Sequence, residues 1–155
     1  REVAERSRAL GMKVFAYDPY LPANDPAWSN VHQADTKFDL AKNCDVISVH
    51  VPYTKETHQL IDANFIDKMR SGAILINAAR GGIVDESALI KALSEKKLRG
   101  AALDVFTDEP LSSENRNLFK DIPNLILTPH IAGITEEANE RVSLLTVKNV
   151  LSYLS

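Results

Sequence analysis

The amino-acid sequence predicts an α/β fold, doubly wound around a parallel β-sheet. Three observations predict it. Strand-like and helix-like patterns alternate along the whole chain, which implies βαβ units. Ala73-Ile74-Leu75-Ile76-Asn77 is a short, almost unbroken apolar run of the kind a strand buried on both faces requires. Polar side chains gather where strands are expected to stop, and in open α/β sheets ligands bind at the carboxyl ends of the strands.

Residues 2–10 read as a helix, with Val3 and Leu10 on one side and Gly11 as its stop. Lys13 to Tyr17 reads as a strand, broken by Asp18-Pro19-Tyr20-Leu21-Pro22 and by further turn signals at Asn24-Asp25 and Pro26. Thr36 opens a short helix over Phe38 to Lys42. Asp45 to Val51 is apolar and β-branched, hence a strand, stopped by Pro52. A helix starts near Asp62 and runs to Met69, and the strand at 73–77 follows. Gly81-Gly82 lie in a loop, and Asp85 or Glu86 opens a helix with Leu89, Ile90 and Leu93 on one face. Gly100 to Asp104 and Leu125 to Leu127 are the next strands, the second ended by Pro129. The stretch from Glu109 to Pro123 reads as a long loop, and long loops are often functional. Thr135 caps a final helix with Glu136 and Glu137 in its first turn, where the dipole favours acids. Ala138, Val142 and Leu145 make its apolar stripe.

Composition narrows the function. The chain has 155 residues, 45% apolar and 25% charged, enough for one domain with a core of its own. A net charge of -3 gives no basic field for nucleic acid or an anionic membrane. No apolar run approaches the roughly 20 residues of a membrane helix. Residues 1–6 lack the apolar core of a signal peptide, and Arg1 stands where an initiator Met would, so the gene is expected to begin upstream. The single cysteine, Cys44, forms no internal disulfide framework and fits a reducing compartment, with cytoplasm as the expected location.

Five strand ends carry polar groups: Asp18, His50, Asn77 with Arg80, Asp104, and His130. Turn formation explains Asp18, Asn77 and Asp104 well; it explains Arg80 and His130 poorly. An acid at the position of Asp18 can accept bonds from adenosine ribose hydroxyls, or it can simply serve a turn. No G-x-G-x-x-G occurs; were its third glycine just before Arg1, Asp18 would lie near the expected spacing of about 20 residues. The Arg80 guanidinium can fork a carboxylate with two parallel bonds. His130 can exchange a proton near neutral pH, as alcohol–ketone interconversion requires. Glu109 can pair with it, and a carboxylate beside an imidazole fixes its tautomer. Gly81-Gly82 offers a weak phosphate-cradle signal without a Walker lysine. His32 and His58 read as surface or loop residues, and the histidines form no metal-ligand pattern, so no metal is expected.

These segments, in this order, resemble the D-isomer-specific 2-hydroxyacid dehydrogenases. Val14-Phe15-Ala16-Tyr17-Asp18-Pro19 looks like the family's second strand with its ribose-binding acid. Ser48 to Thr57 resembles its cofactor-side loop, and Ile76 to Asp85 the segment with the catalytic arginine. Ala102 to Pro110 resembles the segment with the catalytic acid, and Pro129-His130-Ile131-Ala132-Gly133 that with the catalytic histidine. The resemblance implies a Rossmann-type domain holding NAD. It implies that Arg80 binds the substrate carboxylate and 2-oxo oxygen, that His130 exchanges the proton, and that Glu109 orients His130. Asp104 would bond the nicotinamide carboxamide. Asp18, Pro52, Thr57, Ala78 and Gly133 would line the cofactor, together with Arg80 and His130. A carboxylate at Asp18 favours NAD over NADP.

The family's first strand and glycine-rich loop would precede Arg1, and its substrate domain lies outside these residues. Residues 1–155 are therefore expected to be a partial NAD-binding domain, inactive alone. The reaction implied is hydride transfer between NAD(H) and a D-2-hydroxy acid/2-oxo acid pair, most like the phosphoglycerate and hydroxypyruvate dehydrogenases. The same motifs also resemble NAD-sensing corepressors, and formate or phosphonate dehydrogenases. The expected partners are a small 2-hydroxy or 2-oxo acid and a second copy of the chain in a homodimer.

Overall fold

A computed structural model describes residues 1–154, except for the side chain of Glu114. The described residues form six strands and six α-helices in the order α1 (Glu2–Ala9), β1 (Phe15–Ala16), β2 (His32–Gln33), α2 (Lys37–Asn43), β3 (Val46–Val49), α3 (Ala63–Lys68), β4 (Ile74–Asn77), α4 (Glu86–Ser94), β5 (Gly100–Leu103), α5 (Ser113–Leu118), β6 (Leu125–Leu127) and α6 (Glu136–Leu154). Strands β3, β4, β5 and β6 lie side by side in that order, all parallel. Each connection between them carries a helix, as parallel pairing demands. Strands β1 and β2 form a separate parallel pair, with Phe15 opposite His32 and Ala16 opposite Gln33.

The helix starts follow from side-chain caps. Thr36 and Asp39 form a reciprocal capping box at α2. The Asp62 carboxylate accepts from Phe65 N–H at 2.7 Å, Asp85 from Ala88 N–H at 3.0 Å, and the Thr135 hydroxyl from Ala138 N–H at 3.0 Å. Gly11 follows α1 at φ +82°, a backbone that glycine adopts without penalty.

In-register positions of neighbouring parallel strands share a face. Ile47, Leu75 and Ala101 form one buried row; Val49, Asn77 and Leu103 form the next. Helices α2, α3 and α4 adjoin one another in sequence and bring Ala41, Phe65, Ile66, Leu89 and Leu93 into the same core. Leu89 is completely enclosed, so Leu89→Ala is expected to destabilise the fold by about 2–5 kcal/mol. A shift of the urea midpoint at unchanged m-value checks this.

Four features differ from the sequence expectation. The 73–77 run suggested burial on both faces, but Ile74 and Ile76 on the second face are only half-buried. Strand β2 was not expected; its His32, exposed as the sequence reading has it, stacks on Phe15 at 4.8 Å between ring centroids. A two-residue strand has too little pattern to be read. The 109–123 stretch contains α5, capped by Ser112 accepting from Asn115 N–H at 3.1 Å. Its sequence, rich in Asn and Ser, carries no apolar period. The stripe Ala138, Val142 and Leu145 lies on α6, no residue of which is buried. Among the described residues no helix is long and apolar enough to cross a membrane.

Candidate active site

Three consecutive strand ends build the site. Strand β4 ends in Asn77, which is 2% exposed despite its polarity. Its amide is spent locally: Nδ2–H donates to the Arg80 carbonyl at 3.0 Å, and Oδ1 accepts from Ala79 N–H at 3.1 Å. The loop that carries Arg80 is thereby pinned to the strand. Arg80 itself is exposed and donates from Nη1 to the Ala79 carbonyl at 2.6 Å. The guanidinium keeps donors for a ligand, since it has five N–H groups.

Strand β5 ends at Leu103, and the next residue, Asp104, is 5% exposed. Its carboxylate takes three bonds from the segment after β6: Thr128 Oγ–H at 2.5 Å and Ile131 N–H at 2.9 Å onto Oδ1, and Ala132 N–H at 2.9 Å onto Oδ2. Burial pushes this carboxyl up and is the largest single influence. The bonds from Thr128, Ala132 and Ile131, with the charge of His130, together outweigh it and hold the group below the ordinary aspartate value. A carboxylate has about four acceptor positions, so one on Oδ2 remains for a further donor.

His130 sits inside the segment that Asp104 clamps. Its φ is +56°, a left-handed backbone that non-glycine residues reach at a cost of about 1–3 kcal/mol. The clamp on residues 131 and 132 holds that conformation. His130 Nδ1 lies 2.7 Å from Glu109 Oε2, and Glu109 Oε1 accepts from Phe106 N–H at 2.7 Å. Desolvation raises the Glu109 carboxyl most, yet the bonds from His130 and Phe106 and the histidine charge bring it below the usual glutamate value against the opposing charge of Asp104. An ionised carboxylate only accepts, so Nδ1 carries the proton. Nε2 is then the nitrogen available to a ligand. The pair is open to solvent, with side chains 49% and 33% exposed for His130 and Glu109.

The remaining candidates are more dispersed. Asp18 is exposed beyond β1, on the separate pair of strands, and accepts from Tyr20 N–H at 2.9 Å in a local turn. Pro52 and Thr57 close one loop after β3: Thr57 Oγ–H donates to the Pro52 carbonyl at 2.7 Å and Thr57 Oγ accepts from Thr54 N–H at 2.7 Å. Ala78 and Gly133 are exposed, and nothing lies within 4 Å of a Cβ built on Gly133. Asp18 and Asp104 both keep acceptor positions, and the backbone at 78 and 133 is uncovered.

Gly81-Gly82, weighed from sequence as a weak phosphate cradle, is where neighbouring loops pack closely. A Cβ on Gly81 would stand 1.7 Å from the Phe106 carbonyl oxygen, so this glycine lets two loops touch. Gly82 has φ +73° and packs under the Tyr53 ring. On the other side, residues 59–61 run beside 82–85, with Gln59 N–H bonding the Gly82 carbonyl at 2.8 Å and Ile61 pairing with Val84. Sequence reading missed this packing, because a glycine pair does not name the loop that will approach it. Among the described residues no cluster of His, Cys, Asp or Glu could hold a metal ion.

Comparison with known proteins identifies the family. The profile of the D-isomer specific 2-hydroxyacid dehydrogenase, NAD binding domain, matches residues 1–132. The chain is 47% identical over 150 residues to an (S)-sulfolactate dehydrogenase of Chromohalobacter salexigens, covering 97% of this chain and 48% of that protein. It is 45% identical over 152 residues to a D-3-phosphoglycerate dehydrogenase of Archaeoglobus fulgidus, covering 97% of this chain and 28% of that one. The chain thus spans half or less of the length of these relatives. A crystal structure of Aquifex aeolicus D-lactate dehydrogenase, complexed with NAD and lactic acid, superposes with a TM-score of 0.86 at 38% identity, over 98% of this chain and 49% of that one.

Proposed function

We propose that this chain, which belongs to the D-isomer specific 2-hydroxyacid dehydrogenase family as its NAD binding domain, serves a protein that interconverts a D-2-hydroxy acid and its 2-oxo acid. The observation that carries the reading is the His130 Nδ1 to Glu109 Oε2 contact of 2.7 Å, fixed on the strand edge that also presents Arg80. NAD, when bound, supplies hydride chemistry. The residues of this chain supply the carboxylate clamp, the proton exchange and part of the cofactor site. The Arg80 guanidinium holds the substrate carboxylate and stabilises charge on the 2-oxo oxygen. His130 Nε2 gives that oxygen a proton during reduction and takes it back during oxidation. Glu109 holds the ring in the required tautomer, and the remaining acceptor position of Asp104 suits the carboxamide N–H of the cofactor. Pro52, Thr57, Ala78 and Gly133 line the cofactor, and Asp18 accepts from the adenosine ribose hydroxyls.

The relatives named for sulfolactate, phosphoglycerate and lactate share the 2-hydroxy acid unit, which is the unit that Arg80 and His130 would read. Homodimer assembly, a cytoplasmic setting and dependence on segments beyond these 155 residues belong to the same proposal. Light scattering of the whole protein at micromolar concentration checks the first of these, and a monomer mass would count against it.

Asp18 gives a test of cofactor choice that does not need turnover. Asp18→Ala is expected to weaken NADH binding about ten- to a hundredfold, the worth of one charge-assisted bond, and to narrow the preference over NADPH. Fluorescence titration of both cofactors with the whole protein measures this. Equal affinities of wild type and variant would leave Asp18 as a turn residue only.

A further inference from the structure

The three proposed catalytic side chains are linked unevenly. Glu109 and His130 touch, but Arg80 bonds to the carbonyl of its own neighbour and reaches neither of them through a hydrogen bond. Something else must set the distance between the arginine loop after β4 and the acid loop after β5. That distance decides whether one substrate can meet the guanidinium and the imidazole together.

Beyond the Asp104 N–H bond to the Asn77 carbonyl at 2.9 Å, where the strands end, two contacts join the loops. Gly81, next to Arg80, rests against the Phe106 carbonyl so closely that no side chain fits. Glu86, the first residue of α4, reaches across to Thr107: its Oε1 accepts from Thr107 N–H at 2.7 Å and from Thr107 Oγ–H at 3.0 Å. Thr107 follows Phe106, whose N–H holds Glu109. Helix α4 is a firm base, since Leu89, Ala92 and Leu93 are buried in the core. The capping of α4 is already done by Asp85, so the cap does not account for the second acid.

We infer that Glu86 is a positioning residue which ties the acid loop to α4 and, with Gly81, fixes the reach between Arg80 and the Glu109–His130 pair. The inference rests on the function proposed above for that pair. A Glu86 that only favoured the helix dipole would lose its effect on conversion to glutamine. A Glu86 that positions Thr107 is replaceable by glutamine, whose amide oxygen accepts both bonds.

The test uses the whole protein as wild type, Glu86→Gln, Glu86→Ala and Gly81→Ala, with NADH, a panel of 2-oxo acids and amide hydrogen exchange. Wild-type turnover of a 2-oxo acid tests the function itself. Given turnover, Glu86→Ala is expected to lower kcat on the order of tenfold or more and to raise KM for the oxo acid, because a misplacement of about 1 Å can cost a hundredfold. Its NADH affinity should stay within about twofold, a split that a general loss of folding would not produce. Amides of residues 106–109 should exchange faster. Glu86→Gln should stay within about threefold of wild type in kcat, the rescue that an acceptor role requires. Gly81→Ala should reproduce the kcat loss by forcing the loops apart. Unchanged kinetics and unchanged protection at 106–109 in Glu86→Ala would overturn the inference, as would a Glu86→Gln variant as damaged as Glu86→Ala. If the wild type reduces no 2-oxo acid, the function fails separately, and faster exchange at 106–109 in Glu86→Ala, slowed again in Glu86→Gln, still decides the lock.

Discussion

Replacing His130 by alanine in the whole protein is expected to lower turnover of a 2-oxo acid by about 10²–10⁴, the usual worth of a general acid–base. NADH binding should change little, because the imidazole acts on the substrate oxygen and not on the adenosine half of the cofactor. A second variant separates chemistry from loop shape. His130 occupies a left-handed backbone at φ +56°, and asparagine tolerates that region better than alanine does. His130→Asn should therefore keep the loop and still lose turnover by a similar factor. Steady-state kinetics with parallel fluorescence titration of NADH measures both effects. A variant that retained more than half of the wild-type kcat would remove His130 from the chemistry.

The second large effect is expected at Asp104. Three donors converge on its two oxygens, and the group is nearly inaccessible to water. Asp104→Asn keeps the shape but leaves one oxygen for Thr128, Ile131 and Ala132, and turns an amide N–H₂ toward donors. Each stranded buried donor costs about 1–3 kcal/mol. The segment that holds His130 should loosen, with turnover down on the order of a hundredfold and amides 130–133 losing protection. The pH dependence has a definite sign. The folded Asp104 carboxyl lies below its ordinary value, so the clamp contributes fully above the unfolded value of about 3.9. Its contribution is lost as pH falls through the still lower folded value. Protection at residues 131 and 132 should thus hold down to roughly pH 4 in the wild type and decay below it. In Asp104→Asn it should be low at every pH. Exchange measured by mass spectrometry across that range reads both curves.

Much of this was legible in the sequence, and the reasons are specific. Asp62, Asp85, Thr36 and Thr135 cap helices because their side chains bond locally, within three residues, and local chemistry shows in a linear pattern. Glu109 and His130 each have an ordinary reading as a loop acid and a helix-entry residue, and it was the family resemblance of their two segments that made the pair readable. What escaped is of two kinds. Strand β2 and helix α5 are short and lack an apolar period, so nothing in their sequence outweighs the surrounding turn residues. The second kind is long-range. Asn77 read as a turn former, and its burial beneath the arginine loop depends on α2–α4 closing over that face. Asp104 was read toward the cofactor, while most of its bonding capacity goes to a segment 24–28 residues further along. Gly81 and Glu86 carried no signal for their contacts with Phe106 and Thr107, which exist only once β4 and β5 lie side by side.

The most direct test of the central claim follows the hydrogen itself. The whole protein is incubated with NADH carrying deuterium on the transferable position of the nicotinamide, together with a panel of small 2-oxo acids, and the products are analysed for label and configuration at C2. The structure predicts a deuterated D-2-hydroxy acid from at least one member of the panel, formed by wild type and lost in His130→Ala. NADH binding without any labelled hydroxy acid, or label appearing in the L isomer, would contradict the account.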